Sequence, residues 1–147
     1  MLIIHSKLVQ AMLDQARQDH PIETCGIIAG QGAYDLPLRL IPMRNAACAK
    51  DFFEFDPHQQ RQVRKEMAAR GEVPIVIYHS HTESQTYPSL TDVKYATEPR
   101  AHYVIIPTDK PFNQEIRSFR IREGMITEER IQQVSAYQSD LEPLMVA

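Results

Sequence analysis

The chain has 147 residues, a length that suits one domain built around a single core. Hydrophobic residues make up 43% of the sequence, charged residues make up 24%, and the formal net charge is −3. This balance gives no reason to expect nucleic acid or an anionic membrane as a partner. Because no apolar run is long enough for a signal peptide or a membrane span, we expect a soluble, cytoplasmic protein.

The first half of the chain predicts helices that alternate with strands. Ser6 is the expected N-cap of the first helix, and Asp56 is the expected N-cap of the second, which has proline at its first position. Glycines mark the turn after the first strand and the end of the second helix. The predicted elements are a helix over 6–19, strands over 23–29, 35–43 and 52–55, and a helix over 57–70.

The second half predicts a buried central strand followed by shorter elements. The run over 73–79 is continuously apolar, which indicates burial on both faces of a sheet. A turn is expected over 108–111, and the tail from about residue 131 is expected to be helical or frayed. The other predicted elements are a helix over 89–97 and strands over 102–106, 115–122 and 125–129. The whole chain, 1–147, is predicted to form one layered α/β or α+β domain.

The central strand ends in two histidines on one face. His79 and His81 are two residues apart, so in a strand their side chains point the same way. Asp92, at the start of the next helix, can return a carboxylate to the same place. Two imidazoles and a carboxylate are ligands that zinc accepts, and three protein ligands leave a fourth position open, which is the catalytic arrangement.

Each part of this pattern has a simpler explanation when taken alone. A single histidine is more often a packed or surface residue than a ligand, and Ser89 with Asp92 would make a variant of the helix capping box. The full pattern His-x-His-x7-Ser-x2-Asp, however, is expected by chance roughly 6 × 10⁻⁴ times in a chain of this composition. The combination therefore predicts a site, and a helix cap is compatible with it.

A zinc hydrolase also needs a base, and Glu23 is the candidate. It begins a predicted strand next to the small pair Cys25 and Gly26, so it can lie beside the central strand and face the metal. The alternative for Glu23 is a solvated residue after a helix.

The remaining reactive residues are predicted to be structural or exposed. Cys25 is expected to be a packed thiol, with a second nucleophile or a fourth metal ligand as the alternatives, and Cys48 is expected to be a surface thiol. The aromatic run over 52–55 is predicted to lie in the core, although a substrate tail could pair along an edge strand. Residues expected to be structural or solvated are His20, His58, His102 and Glu83.

An upstream glutamate followed by His-Ser-His-x7-Ser-x2-Asp resembles the JAMM motif of the MPN+ zinc metallopeptidase family. The segment 21–30 is similar to that family's glutamate-bearing segment, and the likeness covers about residues 1–130. Within the family, the chain most resembles bacterial Mec-type peptidases that act on ubiquitin-like sulfur-carrier proteins. One departure is Thr82, where proline often follows the second histidine. The matching stretches are 41–46, 76–82, 87–94 and 96–104.

The resemblance implies a cytidine-deaminase-like α/β/α layered fold with a curved mixed β-sheet. It also implies that His79, His81 and Asp92 hold one Zn²⁺, with a water as fourth ligand. Glu23 would be the general base and then the acid toward the leaving nitrogen, and Ser89 would donate a hydrogen bond to the oxyanion.

The implied reaction is hydrolysis of the amide bond at the C-terminal tail of a small sulfur carrier. It would expose Gly-Gly and release a residue such as cysteine, in cysteine biosynthesis. Two alternatives remain: an MPN scaffold in a larger assembly, although such scaffolds typically lack the metal ligands, and a zinc amidase for a small molecule. A zinc deaminase is disfavoured, because its Pro-Cys-x-x-Cys signature is absent. The released residue, the choice between monomer and homodimer, and closure of the loop 82–88 stay open.

Overall fold

The computed structural model describes residues 1–109 and 115–138, together with the backbone of 144–145. Within these ranges, three helices and nine strands alternate along the chain. The elements are β1 (Leu2–His5), α1 (Ser6–Asp19), β2 (Cys25–Gln31), β3 (Arg39–Met43), α2 (Pro57–Ala69), β4 (Glu72–His81), α3 (Leu90–Lys94), β5 (His102–Pro107), β6 (Arg117–Arg122), β7 (Met125–Glu129), β8 (Ile131–Val134) and β9 (Leu144–Met145).

Seven of these strands form one mixed sheet in the order β7-β6-β5-β4-β2-β3-β9. The strand β4 lies in the middle, antiparallel to β2 and parallel to β5. Its predicted burial is confirmed, because it is buried from Ile75 to His81. The pairing of β2 with β4 shifts register between Ile28 and Ala29, an irregularity of the kind that bends a sheet.

The long helices cover opposite faces of this sheet. Ile28 packs in one cluster with Leu8 and Met12 of α1, whereas its neighbour Ile27 packs in another with Val63 and Met67 of α2. Successive residues of a strand point to opposite faces, so the two clusters lie on the two sides of the sheet. The predicted layered α/β architecture is thereby confirmed. Among the described helices, none is both long and apolar enough to cross a membrane.

The first helix begins as predicted, but its cap is a different residue. The N-cap is His5, whose Nδ1 accepts a hydrogen bond from the Lys7 amide at 3.1 Å, and Ser6 is the first helical residue. The prediction of Ser6 as the cap is wrong, because the imidazole of His5, one residue earlier, accepts the hydrogen bond of the free Lys7 amide.

The predicted aromatic strand over 52–55 is also wrong, apart from an isolated bridge between Asn45 and Phe55. The side chain of Asn45 takes hydrogen bonds that a strand ladder would otherwise use: its Nδ2 donates to the Phe52 carbonyl at 2.9 Å, and its Oδ1 accepts from the Glu54 amide at 3.1 Å. The Asn45 side chain therefore takes the place of part of a strand ladder, and the Ala46 amide, which donates to the Glu54 carbonyl at 2.7 Å, supplies a backbone bond beside it.

The tail differs from the expectation of a helical or frayed segment from about residue 131. Ile131–Val134 forms β8, which pairs in parallel with β1 in a separate two-stranded sheet. The Leu2 amide also donates to the Arg130 carbonyl at 2.8 Å, so hydrogen bonds to β1 order this stretch. Residues 110–111 of the predicted turn, and 139–143 and 146–147 of the tail, lie outside the described residues.

Candidate active site

The two histidines lie at the end of the central strand. His79 and His81 are each 3% exposed, and the backbone of β4 is fixed by pairing with both β2 and β5 at His79 and with β5 at His81. Asp92 lies in the first turn of α3, oriented by a complete capping box. The Ser89 Oγ accepts from the Asp92 amide at 3.0 Å, and the Ser89 amide donates to Asp92 Oδ2 at 2.9 Å. The cap predicted from the sequence is therefore present, and it aims the carboxylate at the histidines.

The structure brings these three side chains together. The Nε2 atoms of His79 and His81 lie 3.0 Å apart, and each lies 3.1 Å from Asp92 Oδ2. Ligand atoms at zinc distances of about 2.0–2.1 Å and tetrahedral angles are about 3.3 Å apart. The spacing of the three atoms therefore fits a small tetrahedral ion, and they form a group that could hold a metal.

The surroundings of the histidines fix which ring nitrogen faces the site. His81 Nδ1 lies 2.6 Å from the Gln85 carbonyl, an acceptor only, so Nδ1 carries the hydrogen and Nε2 presents its lone pair. The ring of His79 stacks on Phe53 with centroids 4.6 Å apart. His79 Nδ1 is buried without a hydrogen-bond partner among the described residues, so stacking and strand geometry hold this ring.

The two Nε2 atoms and Asp92 Oδ2 are all electron-rich, so their close approach requires a proton or a cation between them. Burial alone would raise the pKa of Asp92, but hydrogen bonds to His79 and His81 hold it well below its ordinary value. Burial lowers the pKa of His79. For His81 the effect of burial is outweighed by hydrogen bonds to Asp92 and the Gln85 carbonyl, and its pKa is raised. A negative carboxylate beside two imidazoles suits a divalent cation.

Glu23 lies beside this group but not in the strand where it was predicted. It precedes β2 by two residues and is only 3% exposed, so the solvated alternative is wrong. Burial raises its pKa to about 8, with the charge of His81 lowering it and that of Asp92 raising it further. The structure therefore brings together a carboxyl group that changes protonation near neutral pH and the predicted metal ligands.

Ser89 is exposed at the start of α3. Its Oγ accepts the capping hydrogen bond, and this leaves its own hydroxyl hydrogen available to an acceptor outside the helix.

The two cysteines lie as predicted. Cys25 is fully buried, its Sγ contacts the Met43 carbonyl at 3.6 Å, and burial raises its pKa to about 12, which keeps it an uncharged thiol at neutral pH. Cys48 is exposed, and neither cysteine is in a disulfide. The prediction of a packed Cys25 and a surface Cys48 is confirmed.

The group of ligand atoms that the described residues form does not include the other residues set aside from the sequence. His102 is buried between Asp35 and Glu129, so it is structural rather than exposed. Glu83 is exposed, as predicted, and pairs with Lys50 at 3.3 Å.

Some contacts around the site could not be anticipated from the motif. The Thr82 hydroxyl donates to the Lys50 carbonyl at 2.5 Å, which ties the residue after the second histidine to a distant loop. The departure of Thr82 from the family pattern marked the position, but its partner depends on the fold. Phe53 and Gln85 likewise give no local signal, because one acts through ring stacking and the other through its backbone.

A cavity of ≈ 550 Å³ opens beside the predicted ligands His79 and Asp92. Its wall is largely apolar, with a polar rim that includes the ion pair between Arg64 and Glu98 at 3.1 Å. Its apolar lining includes Ile27, Phe52, Phe53, Phe55, Met67 and Tyr103.

A protein-family profile described as "Prokaryotic homologs of the JAB domain" matches residues 5–122. Among characterised proteins, the chain is 49% identical over 137 residues to the CysO-cysteine peptidase of Mycobacterium tuberculosis, covering 93% of this chain and 94% of that protein. It is also 31% identical over 104 residues to the desampylase of Haloferax volcanii, covering 67% of this chain and 75% of that protein.

Solved structures share the same architecture. The solution structure of a Desulfitobacterium hafniense protein superposes with a TM-score of 0.78 at 30% identity, over 95% of this chain and 97% of that one. The crystal structure of a JAB1/MPN domain protein from Archaeoglobus fulgidus superposes with a TM-score of 0.57 at 20% identity, over 89% and 98% of the two chains. The fold implied by the sequence is confirmed.

Proposed function

Since the chain belongs to the prokaryotic JAB-domain family, we propose that it is a zinc-dependent peptidase that cleaves the C-terminal tail of a ubiquitin-like sulfur-carrier protein. The observation that carries this proposal is the convergence of three ligand atoms within 3.1 Å of one another beside a buried carboxyl group. Such an arrangement suits hydrolysis of an amide, which needs charge stabilisation and proton transfer at one point.

The substrate class is supported by the relatives rather than by the geometry. A CysO-cysteine peptidase covers 93% of the chain at 49% identity, and a desampylase is a more distant relative. We therefore expect the products to be a carrier that ends in Gly-Gly and a released residue such as cysteine. The cysteine biosynthesis role and the cytoplasmic location expected from the sequence are part of this proposal.

His79, His81 and Asp92 would hold one Zn²⁺ through two Nε2 atoms and Oδ2. When bound, zinc would supply Lewis-acid polarisation of the scissile carbonyl and acidification of a water molecule. The chain's own contribution is to fix these donors. A buried strand carries the histidines, and a helix cap orients the carboxylate.

Glu23 would accept the proton of the attacking water and pass it to the leaving nitrogen. Burial has already raised its pKa to about 8, so both protonation states are accessible near neutral pH. Ser89 would donate its free hydroxyl hydrogen to the oxygen on which negative charge develops.

The role of Glu23 is tested with the Glu23→Gln variant and a carrier that bears Gly-Gly plus a C-terminal cysteine. We expect kcat to fall at least about 10²-fold, because the amide cannot accept a proton. The control is Glu83→Gln, which changes an exposed glutamate in the loop after the second histidine and should leave the rate unchanged. Full cleavage by Glu23→Gln, followed by mass spectrometry, would remove Glu23 from the mechanism.

The metal site is tested separately by elemental analysis. His79→Ala should lose bound zinc, whereas His58→Ala, which changes an exposed histidine of α2, should keep one ion per chain. Normal zinc content in His79→Ala would contradict the ligand assignment.

A second candidate, a zinc amidase acting on a small molecule, is favoured by the ≈ 550 Å³ cavity next to His79 and Asp92. The same catalytic residues would serve it. Comparison of kcat/KM for the carrier and for a short N-acyl-glycyl-glycyl-cysteine peptide separates the two candidates. An equal or higher value for the short peptide would favour the amidase.

A further inference from the structure

The backbone of Glu23 is held from a distant loop although it lies outside any strand. Its amide donates to the Ala49 carbonyl at 2.9 Å, and its carbonyl accepts from Asn45 Nδ2 at 3.1 Å. Both partners come from the segment that follows β3, so two hydrogen bonds fix the peptide groups on either side of the Glu23 side chain.

Asn45 is the centre of this arrangement. It is 7% exposed and uses both ends of its amide group. Its Nδ2 donates to the Phe52 carbonyl at 2.9 Å and approaches the Ala49 carbonyl at 3.5 Å, in addition to its bond with Glu23. Its Oδ1 accepts from the amides of Ala47 at 3.0 Å and Glu54 at 3.1 Å. A planar group with paired donors and an acceptor is required at this point.

A second pair of hydrogen bonds connects Thr24, the residue after Glu23, to β4, the strand that carries the predicted histidine ligands. The Ser80 amide donates to the Thr24 carbonyl at 3.1 Å, and the Thr24 amide donates to Ser80 Oγ at 2.8 Å. Ser80 lies between the two histidines and is fully buried. Glu23 is therefore located from one side by Asn45 and from the other by the strand that carries His79 and His81.

We infer that Asn45 is a positioning residue, which sets the place of the Glu23 carboxyl group relative to the predicted metal ligands. This inference rests on the proposed role of Glu23 as the base. Among the described residues, the hydrogen bonds of the Asn45 side chain go to Glu23 and to the loop over 47–54, and none goes to a predicted ligand, so Asn45 acts on the base and not on the metal.

The expected effect is on the rate and not on binding. A displacement of about 1 Å at a reacting group can cost roughly 10²-fold in rate. We therefore expect Asn45→Ala to lower kcat about 10- to 100-fold, with KM within about threefold of the wild-type value and one zinc per chain retained.

A double-mutant cycle with the zinc-loaded protein and the extended carrier gives the first test. If Asn45 acts through Glu23, then adding Asn45→Ala to Glu23→Gln should cause no further loss of kcat. The matched control is Gln59→Ala, which removes the acceptor of the Arg44 amide at 2.8 Å, one residue before Asn45, without touching Glu23. This control should leave kcat unchanged.

Amide hydrogen exchange in the metal-free protein gives a second test that needs no activity. The amides of Glu23, Ala47 and Glu54 should exchange as one unit in the wild-type protein, with protection factors within about tenfold of one another. Asn45→Asp, which keeps the acceptor and the volume but loses the donors, should reduce protection at Glu23 at least tenfold.

The results distinguish the positioning role of Asn45 from the proposed function, in which Glu23 is the base. Loss of activity in Glu23→Gln with an equal further loss from Asn45→Ala would overturn the positioning role and leave the proposed function intact. A Glu23 amide that exchanges freely while Ala47 and Glu54 stay protected would overturn it as well. Full activity of Glu23→Gln would overturn both claims.

Discussion

Glu23 is a carboxyl group in surroundings that disfavour its charge. It is buried before β2, and the positive charge of His81 lowers its pKa less than burial raises it. Such a group makes the free energy of unfolding depend on pH, because the folded protein binds its proton more tightly than the unfolded chain does.

The metal-free protein should therefore lose stability as the pH rises. The pKa of Glu23 increases from an ordinary 4.5 to about 8 on folding, so its contribution is complete below about pH 4.5 and is lost as the pH passes through 8. Between pH 5 and 9, we expect the free energy of unfolding of the wild type to fall about 2–4 kcal/mol more than that of Glu23→Gln. Urea denaturation at several pH values measures this difference. Parallel curves for the two proteins would contradict the shift.

At the scale of elements, the side chain of Tyr78, on β4, packs over the paired residue Gly26 of β2. An ideal Cβ on Gly26 would lie 2.1 Å from the Tyr78 hydroxyl oxygen, and the Tyr78 hydroxyl donates to Gln15 of α1 at 2.6 Å. The glycine is thus the place where the tyrosine ring crosses the neighbouring strand.

Gly26→Ala should destabilise the fold by about 1–3 kcal/mol, because the buried ring of Tyr78 must move. Gly32→Ala is the control: the nearest atom to its added Cβ is Val73 Cγ1 at 3.7 Å, so a change within about 0.5 kcal/mol is expected. Urea midpoints of the two variants give the comparison. Equal midpoints would mean that Tyr78 adjusts without cost.

The elements also show where sequence patterns are sufficient. Apolar runs predicted α1, α2, β2, β4 and β5, because burial on both faces and helical spacing are local signals. The aromatic run over 52–55 was misassigned, since the Asn45 side chain bonds to the Phe52 carbonyl and the Glu54 amide, and no local pattern encodes these contacts. The grouping of the predicted ligands followed from strand alternation and a helix cap, whereas the frame around Glu23 depends on tertiary contacts.

At the scale of the whole molecule, a second polar cluster lies apart from the candidate site. His102 is fully buried and bonds to Glu129 and Asp35, while Ser118 and Arg120 bond to Glu129. Burial alone would raise the pKa of Glu129, but the hydrogen bonds from His102 and Ser118 lower it to about 2. This cluster joins β5, β6 and β7 with the loop after β2.

The lowered pKa makes Glu129 a contributor to acid stability. Its contribution is present above about pH 4.5 and is lost as the pH falls through 2. Glu129→Gln should lower the free energy of unfolding by about 2–3 kcal/mol at pH 7 and by clearly less near pH 2. Its neighbour Glu128, which is exposed and pairs with Arg117, is the control: Glu128→Gln should cost less than about 1 kcal/mol. The same loss for Glu129→Gln at both pH values would exclude its charge as the cause.

The three predicted ligands stand on elements of very different rigidity. His79 and His81 belong to the central strand, but Asp92 belongs to α3, a helix of five residues capped by an exposed serine. A single helical turn opens far more often than a strand that is paired on both edges. We therefore expect fraying of this turn, and not opening of the sheet, to set how quickly a bound ion exchanges with a chelator. The lability of the bound ion would then be a property of one short helix.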